Sequence, residues 1–241
     1  NYAFRFSDGV IFLTQYASKV IQKSTGPLSH VKCIPHGVGL NFRSLQLEHL
    51  WPANSINPVQ CVYISNAEMY KHQWTVVQAI SILRTRGYNI TLQLIGGGEG
   101  KAQKLLDESI KKYDPNSLFV QVLDFIPHHK IPEYLSKSDI FIFASSCENM
   151  PITLIEGMSS GLPIACSDRG PMPEVLQDGG IYFNPDDCNS IVIAVEKIIN
   201  SQSLREYISK RAKKLSNKYS WQRCADQTWT FIVDTYKGVK S

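Results

Sequence analysis

Apolar residues fall in short runs along this chain, separated by stretches in which they recur three and four positions apart. The runs at 9–13, 31–34, 60–65, 90–96, 118–123, 140–144, 163–166 and 180–183 are rich in Val, Ile and Phe. That length and composition predict β-strands. Between them, the spacing of Trp74, Val77, Ile80 and Leu83 predicts an amphipathic helix, and the stretch holding the apolar Leu105 and Ile110 another. Strands apolar on both faces belong in a parallel sheet covered by helices on each side. The expected fold is therefore α/β, a Rossmann-like parallel sheet flanked by helices. In such a sheet a ligand sits outside the carboxyl ends of the strands, so the residues after each strand are the ones to search. After Phe183 three helices are expected, at 188–200, 203–215 and 221–237.

The segment 35–58 has little periodicity and many turn residues, which marks a connector. A border near residue 43 divides the chain. Residues 1–43 are then expected to be the tail of a preceding domain with its connector, and 44–241 a domain of their own. The opening NYAFRFSDGV has neither an initiating Met nor a leader and reads as the middle of a fold.

Composition narrows the partners. The 25 Lys and Arg against 21 Asp and Glu give a net charge of +4, too weak a field to point to nucleic acid but compatible with a small anion. No run of eighteen apolar residues suggests a membrane span. The six cysteines, none at metal or redox-pair spacing, are expected to be buried reduced thiols, which suggests a cytoplasmic protein. The basic run Lys210, Arg211, Lys213, Lys214 and Lys218 is either a solvated face or a peripheral contact with an anionic membrane surface.

The chemistry concentrates in SSCENMPITLIEGMSSGLPIACSDRGPMPE, which follows the strand IFIFA and opens a helix. Glu148 falls in the loop at the strand's carboxyl end, and Glu156 about one turn inside the helix. Side chains on a helix lean towards its amino terminus, so both carboxylates can flank one ligand. Between them, the amides of Ile152, Thr153 and Leu154 at the helix mouth make an anion site suited to a diphosphate. Carboxylates suit the vicinal hydroxyls of a sugar or a ribose. The residues also allow plainer readings. Thr153 with Glu156 fits a capping box, and Glu148 can be a solvated loop carboxylate.

The pair Glu148 and Glu156, then GLPI, a Ser-x-x-Gly-x-x-Pro-Glu run ending at Glu174 and DGG from Asp178, resembles the donor domain of family-4 retaining glycosyltransferases. Those enzymes have the two-domain GT-B fold. The resemblance extends to CIPHGV from Cys33, VYISNAEMYKHQWTVVQAI, the loop IGGGEG, LDFIP and the closing YSWQRCADQTWTFIVDTY. It implies a nucleoside diphosphate sugar as donor, transfer of a hexose to an acceptor hydroxyl with retention, and no metal or other cofactor. By the same resemblance Glu148 contacts the transferred sugar, Glu156 binds the ribose, and Lys71 faces the diphosphate. Lys71 can equally be an exposed lysine opening a helix. The backbone near Phe125 and Ile126 is expected to meet the base, although both side chains also suit a core. A sugar or lipid-linked acceptor is expected to be held by the preceding domain, without which transfer is expected to be poor.

The chain departs from that pattern in two places. Ser65 stands where many members carry an arginine, removing one positive charge from the phosphate clamp. Asn149, Met150 and Pro151 replace a glycine-rich stretch, and Pro151 has no N–H to donate. The weakened clamp keeps open a non-catalytic nucleotide-sugar-binding module, and the fold keeps open a sugar-nucleotide epimerase or a phosphorylase, although no motif supports the latter. The Gly96 to Gly100 loop does not fit the dinucleotide fingerprint and is expected to be a tight turn. His30, His36, His72, His128 and His129 lack ligand spacing and are expected to be surface or loop histidines.

Overall fold

A computed structural model describes residues 2–45, 47, 51–52 and 57–240 of the chain. The first part holds α1 (Tyr2–Arg5), β1 (Val10–Phe12), α2 (Gln15–Thr25), β2 (Val31–Cys33) and α3 (Leu40–Arg43). Then come β3 (Val59–Ile64), α4 (Gln73–Thr85), β4 (Ile90–Ile95), α5 (Gly100–Tyr113), β5 (Val120–Leu123), α6 (Ile131–Ser136) and β6 (Ile140–Phe143). The chain continues through α7 (Ile152–Ser160), β7 (Ile164–Ser167), α8 (Met172–Leu176) and β8 (Ile181–Phe183), and closes with α9 (Cys188–Asn200), α10 (Gln202–Ser216) and α11 (Trp221–Lys240).

All eight apolar runs form strands, in two sheets. β1 and β2 pair in parallel as a two-stranded sheet, and the other six form a parallel sheet of order β5-β4-β3-β6-β7-β8. Strand order reverses between β3 and β6, where Cys61 lies opposite Ile140. This is the Rossmann-like arrangement, and the reversal opens a crevice above those two strands. Every residue of β6 and β7 is buried, as helices on both faces require. Phe141 and Phe143 are essentially inaccessible, each contributing about 1.5–3 kcal/mol by leaving water.

Boundaries differ from the sequence pattern where side chains compete with the sheet for amides. The run at 118–123 becomes strand only from Val120. The Asp114 carboxylate accepts from the amides of Leu118, Phe119 and Val120 at 2.7, 3.0 and 2.7 Å, tying the strand's entry to the end of α5. In α5 the inward positions are Ala102, Leu106 and Ser109 rather than Leu105. α10 begins one residue earlier than expected because Ser201 caps it, accepting from the Leu204 amide.

The connector 35–58 is partly structured, since α3 falls within it; residues 46, 48–50 and 53–56 lie outside the described residues. The glycine of CIPHGV has a steric reason. A Cβ on Gly37 would stand 2.0 Å from the Trp221 nitrogen and 2.5 Å from the Ser220 carbonyl carbon, so only hydrogen lets this strand-to-connector turn lie against the start of α11. The Gly96 to Gly98 loop is the tight turn expected. Gly96 has φ +139°, and the Gly97 carbonyl accepts from the Ala67 amide at 2.7 Å. All six thiols are unpaired. Cys61 and Cys166 are buried as expected, whereas Cys147 is exposed and the other three are partly so. Among the described residues no helix is long and apolar enough to cross a membrane.

Candidate functional site

The crevice between β3 and β6 receives the loop after each strand. Tyr63, fully buried on β3, donates its hydroxyl to the Lys71 carbonyl at 2.7 Å. From the other side the Ser146 amide donates to the Tyr70 carbonyl at 2.7 Å, and His72 Nε2 lies 2.8 Å from Ser146 Oγ. His72 holds a left-handed φ of 51°, a conformation uncommon for a residue with a side chain, at the join between the 69–71 turn and α4. Burial lowers its pKa, opposed by Asp186 at 3.5 Å from Nδ1 and reinforced by Arg169, so the imidazole is mostly uncharged at neutral pH.

These backbone ties bring Lys71 Nζ within 2.5 Å of Glu148 Oε1, with both side chains about 15 % exposed. The ammonium also lies 5.0 Å from the Tyr70 ring centre and 5.7 Å from that of Phe143. Lys71 is thus a half-buried cation paired across the crevice rather than a lysine waving from a helix start, and Glu148 is not simply solvated.

Immediately after Glu148 the chain enters α7. Its N-cap is Pro151, which makes no side-chain cap bond. The Ile152 amide is engaged with the Met150 carbonyl at 2.9 Å, so of the three amides expected at the helix mouth this one is spent. Among the described residues no acceptor meets the amides of Thr153 and Leu154, which keep the donor capacity of a helix start. Leu154, Pro151 and Met150 have buried side chains, and Asn149 is exposed. The Asn149 carbonyl accepts from Thr14 Oγ1 at 3.1 Å.

Glu156 is not part of a capping box. The helix starts before Thr153, and the Glu156 carboxylate points away from the first amides to His128, with Oε1 2.6 Å from Nε2. Burial raises the Glu156 pKa, and the His128 hydrogen bond and charge offset part of that rise. His128 is thus the exposed loop histidine expected, but one with a specific partner. Its ring also lies 5.1 Å from that of Phe42. In the same loop Phe125 is 77 % exposed, which removes the core reading for that side chain, while Ile126 is half-buried against the core.

Two carboxylate pairs, Lys71 with Glu148 and His128 with Glu156, therefore bracket the mouth of α7 in sequence and in topology. Ser65 does not extend the cationic end: its carbonyl and hydroxyl both accept from Gln73 Nε2, and its own proton goes to the Asn66 carbonyl. Glu174 serves elsewhere, accepting from the amides of Gln15 and Tyr16 at 2.8 Å each, where it caps α2 together with Thr14. Asp178 accepts from Arg211 and Tyr207 and anchors α10.

The chain belongs to the glycosyl transferases of group 1, whose family profile matches residues 53–215. Its fold is half of the GT-B architecture. Among curated proteins it is similar to O-antigen chain mannosyltransferase B of Escherichia coli, at 24 % identity over 176 residues, 73 % of this chain and 45 % of that protein. Among solved structures it superposes on sucrose-phosphate synthase of Thermosynechococcus elongatus with TM-score 0.84 at 17 % identity, covering 98 % of this chain and 60 % of that one. Anabaena HepE in complex with UDP and glucose gives TM-score 0.78 at 18 % identity, over 94 % of this chain and 64 % of that one. The chain spans about half the length, or less, of the first curated relatives it matches.

Proposed function

We propose that residues 44–241 bind a nucleoside diphosphate sugar and that the enzyme transfers its hexose, with retention, to an acceptor hydroxyl held by a preceding domain to which residues 1–43 belong. The observation that carries this reading is the Lys71–Glu148 pair, set at the switch point of the sheet and followed in the chain by the Thr153 and Leu154 amides, which meet no acceptor among the described residues. In transfer the bond from the anomeric carbon to the diphosphate oxygen breaks with its electron pair leaving on the diphosphate, and the acceptor oxygen bonds the anomeric carbon from the same face while its hydroxyl proton passes to the departing diphosphate oxygen. Lys71 and the two amides neutralise the charge that develops on the leaving group, so this reading calls on no metal. Glu148 accepts from hydroxyls of the sugar, Glu156 from the ribose, and the exposed Phe125 with Ile126 lies against the base.

That a structural neighbour, Anabaena HepE, is seen in complex with UDP and glucose supports a nucleoside diphosphate sugar as the donor. The proposal extends to a cytoplasmic location with peripheral membrane contact. In the basic run Lys210 pairs with Glu206, Arg211 with Asp178, and the partly buried Lys218 lies over the Tyr219 ring, so among the described residues the exposed Lys213 and Lys214 are the ones placed to meet an anionic surface. The test is a calorimetric titration of the chain with UDP-, GDP- and ADP-sugars, repeated with Lys71→Ala and Glu156→Ala. One nucleotide class is expected to bind, and both substitutions to weaken it. Equal affinity in all three proteins overturns the site.

A further inference from the structure

His128 stands in the single turn 128–130 between β5 and α6, with a side chain 68 % exposed, yet its Nε2 meets a Glu156 side chain that is 6 % exposed. An ionised carboxylate has no proton to give, so the imidazole N–H is the donor. The bond engages only Oε1 of Glu156; no hydrogen bond of Oε2 occurs among the described residues. The ring is in turn seated on Phe42, which is wholly buried and belongs to α3 of the connector. The next residue, Arg43, reaches the carbonyls of Ser216 and Tyr219 and the Asn217 side chain at the end of α10. A continuous path of packed and bonded groups therefore runs from the connector to the carboxylate on α7.

We infer that His128 is a positioning residue for the donor site: it pins Oε1 of Glu156 so that Oε2 is presented to the ribose, and Phe42 makes the connector helix part of that support. This rests on the reading above that Glu156 meets the ribose. Without His128 a carboxylate on a helix has several rotamers, and a hydrogen bond to the nucleotide must then also fix one of them. With it, the acceptor oxygen is in place before the ligand arrives.

The test is calorimetry of the chain with UDP, GDP and ADP, taking forward whichever binds most tightly together with its 2′-deoxy and 3′-deoxy analogues. Proteins compared are the wild type, His128→Ala, His128→Gln, Phe42→Leu, Glu156→Ala and the His128→Ala/Glu156→Ala double variant. His128→Ala is expected to weaken the nucleotide by about five- to tenfold and to shrink the discrimination against a deoxy analogue, the scale of one hydrogen bond. Recovery is expected with His128→Gln, whose amide N–H can reach the same oxygen, and a smaller loss with Phe42→Leu. In the Glu156→Ala background, removing His128 is expected to change nothing further. A purely structural histidine would lower the Tm and leave discrimination between ribose and deoxyribose intact, which overturns the inference. So does an undiminished His128→Ala effect when Glu156 is already absent. If Glu156→Ala itself leaves affinity unchanged, or no nucleotide binds, the ribose reading falls and this inference with it; if Glu156→Ala weakens binding while His128→Ala does not, only the inference falls.

Discussion

Replacing Glu156 by Gln should move stability and ligand affinity in opposite directions. The carboxylate is buried, and the one hydrogen bond it has among the described residues, from His128, does not offset the loss of water, as its raised pKa records. Gln keeps an oxygen for His128 and removes the charge. The sign follows from proton linkage. A group whose folded pKa lies above its unfolded value contributes stability that is fully present below the unfolded pKa and is lost as pH rises through the folded one. At neutral pH the wild-type protein therefore carries the penalty of a buried charge and the Gln variant does not. A relief of about 0.5–2 kcal/mol is the scale expected when a functional residue is traded for stability. For a chain of this size that is a Tm increase of about 1–8 °C. The increase should shrink towards zero as the buffer falls below the ordinary carboxylate range, where wild-type Glu156 is itself protonated.

Affinity should fall at the same time. Hydrogen bonds to a charged group are stronger than neutral ones by about 1–1.5 kcal/mol each, so the change weakens a nucleotide by about tenfold if one ribose hydroxyl is involved and about a hundredfold if both are. Wild-type binding should also weaken in acid at a higher pH than an exposed carboxylate would allow, because Glu156 takes up its proton early. Thermal melts from pH 4 to 8 and calorimetry on the same samples read both quantities. A Gln variant that melts lower than wild type at neutral pH would refute the burial argument, and one that binds nucleotide as tightly would refute the ribose assignment.

Glu148→Gln should tighten binding of the bare nucleoside diphosphate by a few-fold, by releasing Lys71 from its 2.5 Å pair, while abolishing most transfer from the sugar donor. Unchanged or weaker diphosphate binding by calorimetry would show that the two groups do not compete. Gly37→Ala places a methyl group against backbone that no rotamer change can clear, so a loss of about 3 kcal/mol and a Tm drop of about 6–12 °C are expected, whereas an unchanged melt would mean the turn simply moves away from α11. Asp114→Ala leaves three amides at the entry of β5 without their acceptor and should destabilise by about 2–4 kcal/mol in urea melts; hydrogen exchange at Leu118, Phe119 and Val120 should quicken first.

The six-stranded sheet was legible because its strands are apolar on both faces, a pattern that parallel sheets impose and that needs no partner to recognise. Its edges were less so. The entry of β5 depends on Asp114, whose short-range carboxylate bonds no periodicity reveals. At the site, the residues alone left Lys71, Glu148 and Glu156 open between ligand and scaffold readings, and it was the resemblance that weighted them. The structure removes the capping box because α7 starts at Ile152 and turns Glu156 towards the loop after β5. That rotation also brings in His128, which stands 28 positions away and carried no spacing signal. His72 escaped for a related reason: its left-handed backbone and its contact with Ser146 arise only once the loops after β3 and β6 are adjacent.

Both carboxylates of the proposed donor site are held before any ligand is present, but by partners of different kind, and this difference bears on how the site would act. Lys71 is itself a diphosphate-binding group, so the Glu148 pair is one that a nucleotide sugar would have to loosen, trading carboxylate for phosphate at the ammonium and releasing Glu148 to the sugar hydroxyls. His128 has no such second use in the proposal, and its bond to Glu156 can persist throughout. The sugar end of the site would then rearrange on binding while the ribose end stays fixed. That asymmetry suits a transferase: a nucleotide held by preorganised contacts is oriented without contributing to the barrier, whereas contacts formed as charge moves onto the leaving group favour the transition state over the ground state.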